Sequence, residues 1–406
     1  MKVLISSIGS RGDVQPILAL ALELKALGHI PSLCVAPNFK EWVESYGVDC
    51  IPIGPDLKKL TGGTMARKPV TPSKEQWRQL AAQSVREQFK VLTEAARTHD
   101  LIVAAGALQV AARSVAEARK IPYVFAAYCP AVFPSPNHPP PNAGSRYPQS
   151  LPRPINRLLW MWDKRSWNPL FRATLNEERD QAGLSPVQNV PGYIFTDRPW
   201  LAADPAIAPA SSTAGLRLVQ TGAWLLHDPV ELPVELEDFL ANGAPPIYLG
   251  FGSMRASEQA SRALIEAVRG LGLRSILSQG WANLMPPDAG RDCLSIGDVN
   301  HAKLFPRVAA IVHHGGSGTT TAAARAGRAQ VIIPHNYDQF YWAHRVQELG
   351  VGVSGPLRDE LSVDALAQGL RACLRPQVTA RAQALSGRME LHGARIAAER
   401  LVKEFG

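Results

Sequence analysis

The sequence predicts an α/β protein made of two doubly wound, Rossmann-like domains that face each other across a cleft. Three observations carry that expectation. Short apolar runs alternate with helical patterns twice over, from Lys2 to Ala127 and again from Pro246 to Ile333. At 406 residues the chain exceeds what one hydrophobic core usually covers. Glycine-rich segments follow several of the apolar runs, where an open α/β sheet places its functional loops.

In the first half, Lys2–Ser7 reads as a strand and Val14–Leu27 as an amphipathic helix stopped by Gly28. Strands are expected at Ser32–Ala36, Cys50–Ile53, Leu101–Ala105 and Tyr123–Ala127, and helices at Lys74–Arg97 and Leu108–Arg119. Regularity breaks at Pro130–Pro154, where the prolines permit neither a helix nor a central strand. The next segment holds Trp160, Trp162, Trp167 and Phe171 and reads in two ways. Either a helix packs its tryptophans into a core, or the loop and helix line a cleft for a flat or greasy ligand. Ala202–Asn242, rich in Pro, Ala and Glu, reads as a linker with flanking elements. Strands then recur at Pro246–Phe251, Ser275–Leu277, Leu294–Ile296, Ala309–His313 and Gln330–Ile333, with a helix at Glu258–Arg269.

Composition excludes several classes. With 46% hydrophobic and 19% charged residues the chain is an ordinary globular one, and no apolar run approaches the roughly 18–20 residues of a membrane span. The N-terminus is interrupted too early for a signal peptide and reads as the first strand. Five scattered cysteines, odd in number and without metal-ligand spacing, predict a reducing, cytoplasmic setting. The formal net charge of +8 raises nucleic acid or an anionic membrane as partners. No Lys/Arg run carries interleaved aromatics, so nucleic acid is not expected, while a peripheral membrane contact stays open. A monomer or weak dimer is expected.

The stretch Ala309–Gln339 carries the chemistry. Gly315, Gly316 and Gly318 remove the Cβ atoms that would keep the backbone from a phosphate. A helix starting near Ser317 to Thr319 would present unpaired N–H groups and its positive dipole end to a pyrophosphate. His313 or His314 would add a hydrogen bond to a charged oxygen. Asp338 and Gln339 supply a carboxylate and an amide, the usual partners of sugar hydroxyls. Other strand-end loops suit the same ligand: Gly252-Ser253 for phosphate, Ser278, Gly280 and Trp281 for ribose or base, and the backbone at Val299 for a base edge. A nucleotide-activated sugar is the expected ligand.

Asp13, in the loop Gly9–Asp13 after the first strand, has two readings. A carboxylate there could take the proton from an attacking hydroxyl, or it could simply cap a helix starting at Val14. No Gly-x-Ser-x-Gly elbow supports a nucleophilic triad, and the adjacent His313 and His314 point to different faces of a strand end, which disfavours a metal.

These segments resemble the family-1 glycosyltransferases of GT-B fold over nearly the whole chain. The motifs are GSRGD at Gly9–Asp13, CP at Cys129-Pro130, TGAW at Thr221–Trp224, YLGFGS at Tyr248–Ser253, GW at Gly280-Trp281, VNH at Val299–His301, HHGGSGTT at His313–Thr320 and DQ at Asp338-Gln339. FPSPNHPPP at Phe133–Pro141 and the span from TGAW to DQ look most like the glucosyltransferases of vancomycin-type glycopeptides. GDVQP at Gly12–Pro16 is closer to sterol glucosyltransferases, and Gln279 stands where the antibiotic subgroup tends to have arginine.

The resemblance implies inversion at the anomeric carbon, a UDP- or dTDP-hexose as co-substrate, and neither a metal nor another cofactor. It implies Asp13 as base, with Ser10, Gly12, Ser253 and His313–Thr319 on the diphosphate. Gly252, Ser278, Gly280, Trp281 and Val299 would surround the nucleoside, and Asp338 and Gln339 the hexose. Tyr128, Phe133 and Trp160 would face the acceptor, an aromatic or hydrophobic natural product. The implied division is an acceptor domain at 1–215, a nucleotide-sugar domain at 216–380, and a C-terminal helix at 381–406 crossing back to the first. A sterol, terpenoid or lipid acceptor is the alternative within this chemistry. A sugar-nucleotide epimerase and a non-catalytic sugar-nucleotide-binding protein are the alternatives outside it.

Overall fold

The protein is described from a computed structural model, which covers residues 1–56, 73–106, 108–143, 147–210, 216–252, 258–280, 288, 290–357 and 360–406. Its two sheets are wholly parallel. The first joins β1 (Lys2–Ser7), β2 (Ile30–Val35), β3 (Asp49–Pro52), β4 (Leu101–Ala105), β5 (Tyr123–Ala127), β6 (Trp200–Leu201) and β7 (Val219–Gln220) in the order β3-β2-β1-β4-β5-β6-β7. The second joins β8 (Ile247–Gly250), β9 (Ser275–Ser278), β10 (Cys293–Ile296), β11 (Ala310–His313), β12 (Ala329–Ile332) and β13 (Gly352–Ser354) in the order β10-β9-β8-β11-β12-β13. Strand order reverses at β1/β4 in one sheet and at β8/β11 in the other. Loops leaving those four strands therefore open into crevices.

Burial explains why these runs are strands although their sequences do not alternate. Val3 and Ile5 of β1 pack in the layer of the first helix, Arg11–Ala26, while Leu4 packs in the opposite layer with Val85, Phe89 and Leu92. A strand covered on both faces needs apolar side chains at every position. The core runs through both layers of each domain.

Three strands escape the sequence reading, β6, β7 and β13, because two or three residues are too few to show a period. β7 lies inside the stretch read as linker, so the first sheet continues past the expected break at 215/216. The C-terminal region is two helices. Pro376–Ser386 packs beside the second-domain helix Ser317–Arg325, and Gly393–Phe405 returns to the first domain, where Ala394, Ala397, Ala398 and Leu401 join its core. The crossing needs Gly393: a Cβ there would lie 2.5 Å from the Ala223 carbonyl oxygen.

Candidate functional site

The loop after β1 places Asp13 by local hydrogen bonds. The helix starts at Arg11, three residues earlier than its apolar pattern suggests, with Ser10 as the N-cap. Asp13 is thus the third helical residue. Its Oδ2 accepts from the Ser10 amide (2.8 Å) and from the Ser10 hydroxyl (3.1 Å). A Cβ on Gly9 would sit 2.2 Å from that oxygen, so only glycine lets the carboxylate fold back. Asp13 is half-buried, and burial raises its pKa against the opposing pull of the Ser10 bonds. The capping reading is right in kind: Asp13 does satisfy the helix start, as a back-bonding third residue instead of the cap.

Beyond β11 the chain enters its glycine-rich loop. Gly315 has φ +90, and a Cβ there would meet Ile332 Cγ2 at 2.6 Å. Gly316 caps the helix Ser317–Arg325 with no side-chain partner. The N–H groups of Ser317, Gly318 and Thr319 therefore have no intrahelical acceptors and face outward at the positive end of the dipole.

The two histidines part company. His313 is fully buried; its Nδ1 accepts from the Gly315 amide (3.1 Å), and its Nε2 lies 2.9 Å from Gln330 Oε1. Both ring nitrogens are occupied and burial lowers its pKa to about 4, so the ring is a neutral strut of the loop with nothing left for a ligand. Of the two expected histidines, His313 is the one engaged within the protein. His314 is half-buried, its Nδ1 has no partner, and its ring fits between two glycines. A Cβ on Gly252 would lie 3.2 Å from its Cε1 and one on Gly316 2.6 Å from its Nε2. Burial, followed by the neighbouring His313, lowers its pKa to about 3. It is a neutral imidazole beside the glycine-rich loop and the N-terminus of the helix Ser317–Arg325.

Asp338 and Gln339 start the helix that ends at Glu348. Trp342 Nε1 donates to Asp338 Oδ2 (3.0 Å) and fixes the carboxylate. Burial and then the charge of Asp13 raise the Asp338 pKa to about 6. Gln339 is turned differently from expectation: its Oε1 accepts from the amides of His335 (2.8 Å) and Asn336 (3.1 Å) and holds the preceding turn. Sequence reasoning missed Tyr337. Its backbone is left-handed at φ +52, and burial followed by Asp338, Asp163, Cys129 and Asp13 pushes its hydroxyl pKa up. A non-glycine residue held there costs roughly 1–3 kcal/mol.

Gly280 has φ +45, and a Cβ there would lie 2.6 Å from the Gly252 carbonyl oxygen, which brings two of the expected nucleoside loops together. Ser278 ends β9 and is buried. Ser253 and Trp281 lie outside the described residues. Val299 lines a cavity of about 460 Å³ with Arg11, Trp42, Tyr46, Asp298 and Asn300. Arg11 reaches across the domains to pair with Asp298, and its guanidinium lies 4.6 Å over the Trp42 ring.

The acceptor residues divide. Tyr128 is at the centre of the site: its hydroxyl donates to the Asp13 carbonyl (2.9 Å), and its own carbonyl accepts from the Ser317 hydroxyl (2.9 Å). One tyrosine thus joins the carboxylate loop of the first domain to the helix N-terminus of the second. Phe133 is fully buried against Phe125 and Phe195, with ring centroids 6.1 and 5.7 Å apart. Trp160 is buried too, its Nε1 donating to the His138 carbonyl (2.9 Å). Phe133 lies in the hydrophobic core of the first domain, and Trp160 packs its helix against the proline-rich loop at His138. Among the described residues no group of three His, Cys, Asp or Glu side chains is gathered for a metal.

With this geometry in view, residues 3–133 match the glycosyltransferase family 28 N-terminal domain, and residues 291–394 the erythromycin biosynthesis protein CIII-like C-terminal domain. The chain is 42% identical over 407 residues to the vancomycin aglycone glucosyltransferase of Amycolatopsis orientalis, covering 99% of this chain and 97% of that protein. It is 30% identical over 413 residues to a sterol 3-beta-glucosyltransferase of Arabidopsis thaliana, covering 96% of this chain and 63% of that one. The solved glycosyltransferase of kitacinnamycin superposes with a TM-score of 0.74 at 17% identity, covering 100% of this chain and 99% of that one, a likeness of fold.

Proposed function

This chain belongs to the GT-B glycosyltransferases, in the group of the vancomycin-type glucosyltransferases, and we propose that it moves a glucosyl unit from UDP- or dTDP-glucose to a hydroxyl of an aromatic natural-product aglycone. One observation carries the mechanism: Tyr128 links the Asp13 loop to the uncapped helix at Ser317 by two hydrogen bonds. Displacement at a sugar carbon needs a base on one face of that carbon and an anion site for the leaving group on the other. Tyr128 holds the two loops that would supply them close together.

The reaction then runs as follows. Asp13 accepts the proton of the acceptor hydroxyl as its oxygen bonds to the anomeric carbon. The bond from that carbon to the diphosphate breaks on the opposite face, inverting the centre. The negative charge gathering on the leaving diphosphate meets the N–H groups of Ser317, Gly318 and Thr319 and the His314 ring, all in place before the reaction starts. The dipole end and these donors answer that charge without calling on a divalent ion. Asp338 receives hydroxyls of the hexose, while Gln339 holds the turn that presents it. Ser10 aims the base, and Gly12, exposed beside it, leaves the loop open toward the diphosphate. The nucleoside lies toward Gly252, Gly280 and Val299. Ser253 and Trp281 keep their proposed phosphate and base roles from the motif alone. The odd, scattered set of five cysteines favours a reducing compartment.

The test is incubation of the purified protein with UDP-glucose and dTDP-glucose and a panel of glycopeptide, phenolic, macrocyclic and sterol acceptors, read by mass spectrometry. Gain of one hexose on a glycopeptide or phenolic hydroxyl is the expected result. Addition to sterol alone would replace the acceptor half of the reading. Nucleotide-sugar binding with no transfer to any member would overturn the proposed acceptor class.

A further inference from the structure

The first turns of the helix Arg153–Gln181 are apolar well beyond the face that the fold uses. Asn156, Leu159 and Trp160 turn into the protein. Ile155, Leu158 and Trp162, at spacings of three and four, form a second stripe beside that face, with Met161 at its far edge. These four are 43, 46, 58 and 51% exposed, in the order Ile155, Leu158, Trp162, Met161. Single exposed apolar residues are ordinary, but four large ones on two turns of one helix are not.

The charges around the stripe have one sign. Arg153, Arg157, Lys164, Arg165 and Arg172 are all exposed, and none is ion-paired among the described residues. Between Arg153 and Asn176 the one acid is Asp163, which is half-buried and accepts from Asn142 Nδ2 (3.2 Å). A folded helix that shows bulky aliphatic and tryptophan side chains to solvent, bordered by cations alone, has the composition of a segment that lies in a lipid interface. A protein partner would need acidic residues to meet the same cations; an anionic leaflet offers that charge everywhere.

We propose that this helix seats the enzyme on an anionic membrane surface, with Ile155, Leu158, Met161 and Trp162 entering the headgroup boundary and the flanking arginines and lysine meeting lipid phosphates. No helix among the described residues is long and apolar enough to cross a membrane, so the contact is peripheral. The helix follows directly on the proline-rich loop beside the cleft, so seating it brings the acceptor side of the enzyme to the phase in which hydrophobic aglycones accumulate. The proposal does not depend on the reading of the reaction, since binding to lipid is measured without turnover.

The experiment is co-sedimentation of the full chain with vesicles of phosphatidylglycerol mixed with phosphatidylcholine, and with phosphatidylcholine alone. Binding is expected to the mixed vesicles and to weaken in about 1 M salt, where the screening length falls to about 3 Å. The double variant Met161→Ala, Trp162→Ala should bind roughly tenfold less, the scale of a large apolar side chain leaving water. Arg157→Gln with Arg165→Gln should remove the preference for anionic lipid. Unchanged melting temperatures would confirm that both variants fold. No wild-type sedimentation, or unchanged binding by both folded variants, would overturn the proposal. So would a wild-type dimer that dissociates on substituting Met161 and Trp162 while lipid binding is absent; it would give the stripe to a second copy of this chain.

Discussion

The two sides of the cleft are built on different principles. On the second domain the candidate donor site is mostly backbone: glycines that permit close approach, a helix start without a cap, and one imidazole fitted between Gly252 and Gly316. On the first domain the candidate acceptor side is mostly side chain, and its aromatic residues divide between core and cleft only after folding. Backbone sites are written in the sequence as glycines at fixed places. Side-chain walls depend on which way a helix is turned, and a one-residue change in its start alters every contact.

The sharpest way to break this contrast is Asp13→Asn. Asn retains an acceptor for the Ser10 amide, so the helix start should survive. Turnover should fall by about 10²–10⁴, with donor affinity within about twofold of wild type by calorimetry. A parallel loss of donor affinity or of melting temperature would return Asp13 to a purely structural role.

On the aromatic side, Phe133→Ala should cost about 3–5 kcal/mol of stability in chemical denaturation, as for other buried rings. A Phe133→Ala protein of wild-type stability but poor acceptor affinity would restore that residue to the cleft. Trp162→Ala, on the exposed stripe, should change stability by less than about 0.5 kcal/mol.

The histidine pair sharpens the donor side. His314→Ala should weaken nucleoside-diphosphate binding by about tenfold, the worth of one hydrogen bond to a charged oxygen, and leave stability near wild type. His313→Ala should do the reverse, destabilising the fold by about 1–3 kcal/mol because Gln330 and the Gly315 amide lose their partner. If both variants lost only ligand affinity, the division of roles drawn from burial would fail.

The sequence made the fold class, most of the strands and the glycine-rich loop after β11 readable, because each rests on local signals: apolar runs bounded by helices and glycines at strand ends. It could not separate His313 from His314, since their roles follow from the register of β11 against β12, which buries one ring beside Gln330 and leaves the next at the loop. It could not turn Gln339 back onto the amides of His335 and Asn336, nor foresee Tyr337 in a left-handed conformation; both follow from the turn that precedes Asp338. Nor could it place Arg11, whose partner Asp298 is 287 residues away. Asp13 is ambiguous in the sequence because the carboxylate oxygen that holds the helix start belongs to the same group that is proposed to take the acceptor proton.

The smallest expected effect tests the coupling between the two sides directly. With its pKa near 6, the Asp338 carboxyl is mostly protonated at pH 5 and mostly ionised at pH 7. An ionised carboxylate is the better acceptor for sugar hydroxyls, so affinity for the nucleotide-hexose should rise severalfold over that interval. Affinity for the nucleoside diphosphate alone, which lacks the hexose, should not share that rise. Stability carries the opposite sign. The folded pKa lies above the ordinary 3.8, so the native state holds the extra proton, and this group's contribution to stability falls as pH rises from about 4 to about 6. Because the charge of Asp13 is one of the causes, Asp13→Asn should move the midpoint of the binding profile to lower pH. A profile that stays in place would mean that the two carboxylates do not share a cleft in solution, and that the closeness of the two sites is weaker than the Tyr128 bridge implies.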